Sequence, residues 1–297
     1  MEKNWISFEG FNVQPSNSDI KRQVKLPAEY SEDLAYFCGI LAGDGHIEVN
    51  PSKCWNRIYC SGNPADEKEL YYFVLLPLIK RLFNVEVKAR PFHSGTFGFE
   101  FGSKLLVSFL TQVLGLPINM KYEQLRIPLW VKNEPDLLKA YIRGLADTDF
   151  CLSLKKRYKL LAYYPVISGC SKSRVYMEEI TTALESFGFK VSRSFDVVQM
   201  DTRFKKGFSI THMINIYGHT QLIHWMKTIG FASPKHLKKF EIWQIRNVNN
   251  NRLKVKEALK AASVIKIEAE ANLASAPSGG KTFSRGTKRT PNFELPT

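Results

Sequence analysis

The sequence repeats a pattern of residues at a spacing of about 105 positions. Segments 34–45 and 139–150 align without a gap, and downstream matches continue until the spacing has grown to 115. The matched pairs include Ala35 with Ala140, Gly39 with Gly144, Gly43 with Thr148, Asp44 with Asp149, Gly62 with Gly169, and Leu116 with Phe231. Similarity at a fixed spacing is the signature of one structural unit built twice. The growing offset predicts an extra loop in the second copy, around 201–207.

Both copies predict the same order of elements, αββαββα, from their hydrophobic spacing. The predicted bounds are 33–44, 46–62, 65–83, 85–102 and 103–114 in the first copy, and 136–149, 151–170, 172–187, 189–218 and 219–229 in the second. The two strands of a β-hairpin pair antiparallel. We therefore predict an α+β fold, a pseudo-symmetric tandem repeat with an antiparallel sheet in each half.

The repeat also predicts the domain boundaries. The two halves are expected at 33–133 and 134–250, joined where the IPLWVKNEP stretch breaks the periodicity. Outside them we expect an N-terminal extension at 1–32, a C-terminal helix at 251–274 and a basic tail at 275–297. That tail is rich in Pro, Gly, Ser and Thr, which is typical of disorder.

Small residues recur at every fourth position in the first helix of each half. They are Ala35, Gly39 and Gly43 in one helix and Ala140, Gly144 and Thr148 in the other. Residues four apart share one face of a helix. Because glycine inside a helix costs about 1 kcal/mol relative to alanine, its matched recurrence predicts that the two helix backbones pack closely together.

Each of these two helices is predicted to end in an aspartate, Asp44 or Asp149. A carboxylate is unfavourable at a helix C-terminus, where the partial charge is already negative. Two of them close together would share a proton or hold a cation, and carboxylate and carbonyl oxygens suit Mg²⁺. The carbonyls of Gly43 and Thr148 are candidate accessory ligands. The alternative interpretation is a pair of solvated surface aspartates.

The charge of the chain indicates a polyanionic partner. Lysine and arginine number 42 against 28 aspartate and glutamate, a net charge of +14, of which +11 lies in residues 34–251. Such a surface is typical of binding to nucleic acid or to an anionic membrane surface. No apolar run of about 20 residues predicts a membrane span. Five cysteines without a CxxC pair, and an N-terminus without a signal pattern, predict a reduced, intracellular protein.

The two matched segments resemble the paired motifs of LAGLIDADG homing endonucleases in their single-chain form. The motifs are CGILAGDG at Cys38–Gly45 and RGLADTDF at Arg143–Phe150, and the resemblance covers roughly residues 33–247. It implies motif helices that cross at the centre of two saddle-shaped sheets straddling double-stranded DNA. It also implies Mg²⁺ or Mn²⁺ ions held by Asp44 and Asp149, with Asp147 in a structural role.

The implied activity is hydrolysis of one phosphodiester in each strand of a long, asymmetric target by a monomeric enzyme. Such a protein is expected in the cytoplasm or nucleoid of a prokaryote, or in an organelle matrix. Phe150 departs from the motif, which has glycine there. A left-handed helix exit would strain phenylalanine by about 1–2 kcal/mol, so a different chain path is expected after Asp149.

Base recognition by this fold would come from sheet side chains in the major groove. The candidates are Lys53, Arg57, Tyr59, Lys88 and Arg90 in the first half, and Lys155, Lys156, Arg157, Lys159, Arg193 and Arg203 in the second. For any one of them, a phosphate contact is the simpler interpretation. Lys104 is a candidate catalytic lysine, since a cation near the reacting phosphate stabilises developing charge.

Two other functions fit the same fold. One is an intron maturase that binds intron RNA and has lost most or all cleavage, and the other is a DNA-binding regulator. Neither requires metal-binding carboxylates at matched positions, so the retained Asp44 and Asp149 favour the endonuclease.

Overall fold

The computed structural model describes residues 5–119, 122–156, 163–200 and 207–248. The N-terminal segment contains α1 (Asn17–Lys21). The first half contains α2 (Glu32–Ala42), β1 (Gly45–Asn50), β2 (Trp55–Gly62), α3 (Lys68–Leu70), α4 (Leu76–Phe83), β3 (Ala89–Pro91), β4 (Phe97–Gly102) and α5 (Lys104–Ser108). A π-helical turn, Tyr71–Leu75, joins α3 to α4, and a second one, Phe109–Val113, extends α5.

A short helix, α6 (Leu129–Lys132), lies at the joint between the halves. The second half contains α7 (Pro135–Asp149), β5 (Phe150–Lys156), β6 (Tyr163–Ser171), α8 (Arg174–Ser186), β7 (Val191–Met200), β8 (Phe208–Tyr217), α9 (His219–Thr228) and α10 (Pro234–Val248). Both sheets are antiparallel and four-stranded, in the orders β1-β2-β4-β3 and β5-β6-β8-β7. The matching order confirms the α+β fold with a duplicated unit that the repeat predicts.

Serine side chains define where several helices begin. Ser31, Ser103 and Ser173 precede α2, α5 and α8, and each hydroxyl accepts a hydrogen bond from a backbone N–H in the first turn. These donors have no partner within the helix, so the caps stabilise the start of each element. The first motif helix therefore begins at a capping serine, whereas the second begins at Pro135 without a side-chain cap.

The two motif helices, α2 and α7, pack against each other through their glycines. A side-chain carbon on Gly39 would overlap the carbonyl oxygen of Tyr141, and one on Gly144 would overlap that of Tyr36. These two contacts are related by the repeat, since Tyr36 and Tyr141 are themselves a matched pair. The close backbone approach predicted from the small residues is confirmed.

The end of the first motif helix differs from the prediction, and the end of the second agrees with it. The helix α2 ends at Ala42, so Asp44 lies two residues beyond it, whereas Asp149 is the last residue of α7. Phe150 has φ −99° and ψ 157°, and the chain passes straight into β5. The chain therefore leaves α7 along an extended path, as the departure from glycine at Phe150 leads one to expect, and Phe150 carries no left-handed strain. At the matched position of the first motif, Gly45 packs closely against Leu41.

The N-terminal segment packs on the first half. Ile6 is buried, and Asp19 accepts a hydrogen bond of 3.2 Å from the backbone N–H of Leu105 at the start of α5. The helix α10 was not predicted at all. The predicted helix at 251–274 and the tail at 275–297 lie outside the described residues. Within the described part of the chain, no helix has the length and apolarity that a membrane crossing requires.

Candidate metal centre and nucleic-acid interface

The C-terminal ends of the two motif helices, α2 and α7, meet at Gly43. A side-chain carbon on Gly43 would overlap Thr148 Oγ1 and would lie 3.4 Å from the carboxyl carbon of Asp149. Asp44 is the next residue along the chain, half-buried, and Asp149 is exposed. The crossing of α2 and α7 therefore places the two matched motif ends side by side, with Gly43 and Thr148 in direct contact between them.

Asp44 has a second carboxylate close by that the repeat does not predict. Asp44 Oδ2 would lie 3.3 Å from a side-chain carbon on Gly62, and Glu67 Oε2 would overlap that same carbon. Glu67 Oε2 accepts a hydrogen bond of 2.9 Å from the backbone N–H of Asn63. The absence of a side chain at Gly62 thus leaves the space that the Asp44 and Glu67 carboxylates occupy.

Glu67 is neutralised by a lysine from the other half of the chain. Lys235 Nζ, on α10, lies 2.5 Å from Glu67 Oε1, and the side chains of the two are only 14% and 8% exposed. A little further along, Lys238 binds Glu69 at 2.7 Å. Asp44 and Asp149, at the two motif ends, are called the acidic corner below. The nearly buried Lys235–Glu67 ion pair beside it places a positive charge where the sequence predicted none. No periodicity in the sequence could have revealed this ion pair, because Glu67 and Lys235 are 168 residues apart.

Asp147 is fully buried and holds three elements together. Its carboxylate accepts a hydrogen bond of 2.7 Å from the Tyr36 hydroxyl on α2 and others of 3.0 Å from the backbone N–H groups of Ala232 and Ser233. Burial raises the pKa of this carboxyl to about 6, although the hydrogen bonds act in the opposite direction. These contacts agree with a structural role, because they join α2 and α7 to the start of α10.

The acidic corner suits a cation that takes only part of its coordination from protein. Among the described residues, no three side chains of His, Cys, Asp or Glu converge as a metal cluster. Mg²⁺ usually binds one or two carboxylates and completes its octahedron with water and substrate phosphates. Two carboxylates beside backbone carbonyls at a helix junction fit that requirement.

Several predicted DNA-binding residues share one face of the first sheet. Along β2, buried Ile58 and Cys60 face the helices, so Arg57 and Tyr59 lie on the opposite, outer face. Arg90 is paired with Gly98 and lies on the same side, and exposed Lys88 precedes β3 by one residue. Lys53 lies in the exposed turn between β1 and β2, with its Nζ 4.5 Å above the Trp55 ring.

The second sheet separates its predicted residues between two faces. Lys155 is paired with Tyr164 on the outer face, whereas Lys156 follows on the other side of the strand. Arg193 is a correction to the prediction. It is paired with buried Ile214, which places it on the helix-packed face, and it binds Glu185 of α8 at 2.5 Å. Arg157, Lys159 and Arg203 lie outside the described residues.

Lys104 is not brought to the acidic corner. It is exposed at the start of α5, directly after the end of β4 that pairs with Arg57. Asp44 adjoins the opposite end of the sheet, where Gly45 pairs with Cys60 and Gly62 pairs with Phe97. The contacts of the Lys104 region are instead with the N-terminal segment, through Asp19 and Leu105.

Comparison by sequence finds two distant relatives. No family model matches the chain. Two curated proteins of Methanocaldococcus jannaschii match it, the glutamine–fructose-6-phosphate aminotransferase (isomerizing) with 24% identity over 237 residues and the replication factor C small subunit with 28% over 250. The matches cover 80% and 84% of this chain but 19% and 12% of those proteins, so the chain spans less than a fifth of either.

Comparison by structure finds DNA-bound proteins. A structure of I-DmoI in complex with DNA and Ca is similar at a TM-score of 0.47 and 18% identity, covering 71% of this chain and 97% of that one. The homing endonuclease I-WcaI, bound to its DNA recognition sequence, gives 0.46 and 13%, covering 77% and 96%. The LAGLIDADG meganuclease I-AabMI, bound to uncleaved DNA, gives 0.45 and 9%, covering 79% and 98%. The structural neighbours of this chain are thus LAGLIDADG homing endonucleases, the class that its two motifs resemble.

Proposed function

We propose that the chain is a site-specific endonuclease that binds double-stranded DNA and hydrolyses it with Mg²⁺ or Mn²⁺. The observation that supports this most is the junction of α2 and α7. There, two aspartates at matched positions of a repeat lie at helix ends that touch through Gly43 and Thr148. An isolated surface aspartate needs no such arrangement, and one at a helix C-terminus is electrostatically unfavourable without a cation.

Each residue at the junction has a distinct role in this proposal. Asp44 and Asp149 would hold the divalent cations, and the backbone carbonyls of Gly43 and Thr148 would complete the protein's share of the ligands. The cations supply positive charge that activates water and stabilises the leaving oxygen of a phosphodiester. Glu67 and Lys235 form a neutral pair behind Asp44, and we propose that they fix its position. Lys104 remains a weaker candidate for a phosphate contact.

The outer faces of both sheets would contact the duplex. Arg57, Tyr59 and Arg90 on the first sheet and Lys155 on the second are the outer-face side chains that would make these contacts. Phosphate contacts give such a surface affinity, and base contacts give it specificity. The monomeric state and a role in intron homing are part of the same proposal.

The test is Mg²⁺-dependent cleavage of a plasmid library by the purified chain. Asp44→Asn and Asp149→Asn should each abolish cutting while leaving binding of the duplex intact. Asp136→Asn is a matched control, because Asp136 is an exposed aspartate in the first turn of α7 that pairs with Lys139. If both junction variants cut at the wild-type rate, the site assignment is wrong.

A further inference from the structure

A single carboxylate links two arginines on the outer face of the first sheet. Glu100, on β4, binds Arg57 Nη1 at 3.1 Å through one oxygen and Arg90 Nη2 at 3.0 Å through the other. Arg57 comes from the neighbouring strand on one side and Arg90 from the strand on the other. The three side chains therefore form a row across β2, β4 and β3.

Arg57 is held by a second contact. Its guanidinium lies 3.4 Å above the ring of Trp55, two residues earlier in β2. A guanidinium has five N–H donors in a fixed plane. Glu100 accepts a hydrogen bond from Arg90 Nη2 and forms an ion pair with Arg57 Nη1. Both side chains are therefore oriented without exhausting their donors. Arg57 remains 32% exposed and Arg90 62%.

The second sheet has a different outer face. Ser168 donates a hydrogen bond of 2.6 Å to Asn215, and Ser192 and Ser194 are paired with Asn215 and Met213. These positions carry small or neutral side chains, and among the described strand residues of that face only Lys155 is basic. The two halves thus offer different chemistry to a bound duplex, although their strand orders are identical.

We propose that Arg57 and Arg90 recognise guanines in the part of the target bound by the first half, and that Glu100 is their positioning residue. This inference rests on the proposed function. The geometry fits because an arginine with two adjacent N–H groups free matches the O6 and N7 acceptors of guanine in the major groove. Orientation by Glu100 and Trp55 removes rotamer freedom before binding, so less is lost when the contact forms.

The experiment selects binding sites from a random duplex library with the full chain in EDTA, so that cleavage does not intervene. The wild type should enrich a sequence containing guanines in one half. Arg57→Ala and Arg90→Ala should each reduce the preference for guanine at one position by about tenfold. Glu100→Gln should weaken the preference at both positions. Arg57→Lys keeps the charge but loses the planar fork, so it should retain affinity and lose discrimination.

The control variant is Arg81→Ala, which removes an exposed arginine paired with Asp33 at 2.7 Å, outside the sheet face. It should leave the enriched sequence unchanged, and thermal unfolding should show that all variants fold. Enrichment of one duplex sequence by the wild type, with the same guanines retained by Arg57→Ala and Arg90→Ala, overturns the guanine inference and leaves the proposed function standing. Unaltered preferences in Glu100→Gln overturn its positioning role. Failure of the wild type to bind any duplex removes the proposed function itself.

Discussion

At the scale of single residues, the second motif contains two aspartates, Asp147 and Asp149, that have the same side chain but different surroundings. Asp147 is fully buried and accepts hydrogen bonds from Tyr36, Ala232 and Ser233, whereas Asp149, two residues later, is exposed beside Gly43. Burial disfavours a charged carboxylate unless hydrogen bonds compensate it. Asp147 is therefore suited to stabilising the fold, and Asp149 is suited to binding a cation.

His236 gives the protein a pH-dependent stability. The ring is fully buried on α10, and burial together with Lys235 and Lys239 lowers its pKa from 6.5 to about 3. At pH 7.5 it is neutral in both folded and unfolded chains. As the pH falls from about 6.5 towards 3, only the unfolded chain takes up the proton, so stability is lost. Between pH 7.5 and 5 this loss should be about 2 kcal/mol in the free energy of unfolding.

Urea unfolding of the wild type and His236→Leu at the two pH values measures this contribution. The variant should lose about 2 kcal/mol less on acidification than the wild type, because groups common to both chains cancel in the comparison. His93→Leu removes an exposed histidine and is the control. An identical decrease in the wild type and His236→Leu would show that the buried ring does not account for the acid sensitivity.

The residues of the acidic corner show what sequence can predict at this scale. Asp44 and Asp149 are predictable because the repeat aligns them and because carboxylates at helix ends need an explanation. Glu67 and Lys235 are not, since each has no matched partner in the other half and their pairing depends on the fold. The role of Gly62 becomes visible only when its neighbours are placed.

At the scale of elements, the α2–α7 interface allows no side chain at its two central glycines. Gly39→Ala and Gly144→Ala would each drive a methyl group into a backbone carbonyl oxygen of the facing helix. Because backbone on both sides must then move, each change should lower the free energy of unfolding by about 2–4 kcal/mol, despite the better helix propensity of alanine. Denaturant unfolding measures the loss. Gly102→Ala is the control, since its added carbon would meet its nearest neighbour at 3.4 Å. A gain in stability in Gly39→Ala would contradict the close approach.

The element order was predictable, and α10 was not. Hydrophobic spacing and the repeat predict both hairpins and the helices of each half within a few residues. The helix α10 has no equivalent in the first half that the repeat could reveal. Its position depends on Asp147, which accepts hydrogen bonds from Ala232 and Ser233, and on the Lys235–Glu67 and Lys238–Glu69 ion pairs. All of these contacts join segments that are far apart in the chain.

At the scale of the whole molecule, net charge indicates the kind of partner but does not locate the binding surface. The chain carries +14, yet some basic side chains are already paired with acidic ones. Arg193 binds Glu185 on the helix-packed face, and Glu100 neutralises part of the charge of Arg57 and Arg90. Strand register, which the sequence shows only as alternation, decides which of the basic residues can meet a polyanion.

The distribution of basic side chains between the outer and helix-packed faces of the sheets predicts how salt should affect binding. If the outer faces contact duplex DNA, the affinity should fall steeply with salt, because each neutralised phosphate releases counterions. Lys155→Ala removes a cation from the outer face and should reduce the slope of log affinity against log salt concentration by about 1. Arg193→Ala removes the same charge from the opposite face and should leave the slope unchanged. Fluorescence anisotropy with one labelled duplex, measured from low to moderate salt, gives all three slopes. Salt-insensitive binding, or equal losses in the two variants, would show that the outer face is not the binding surface.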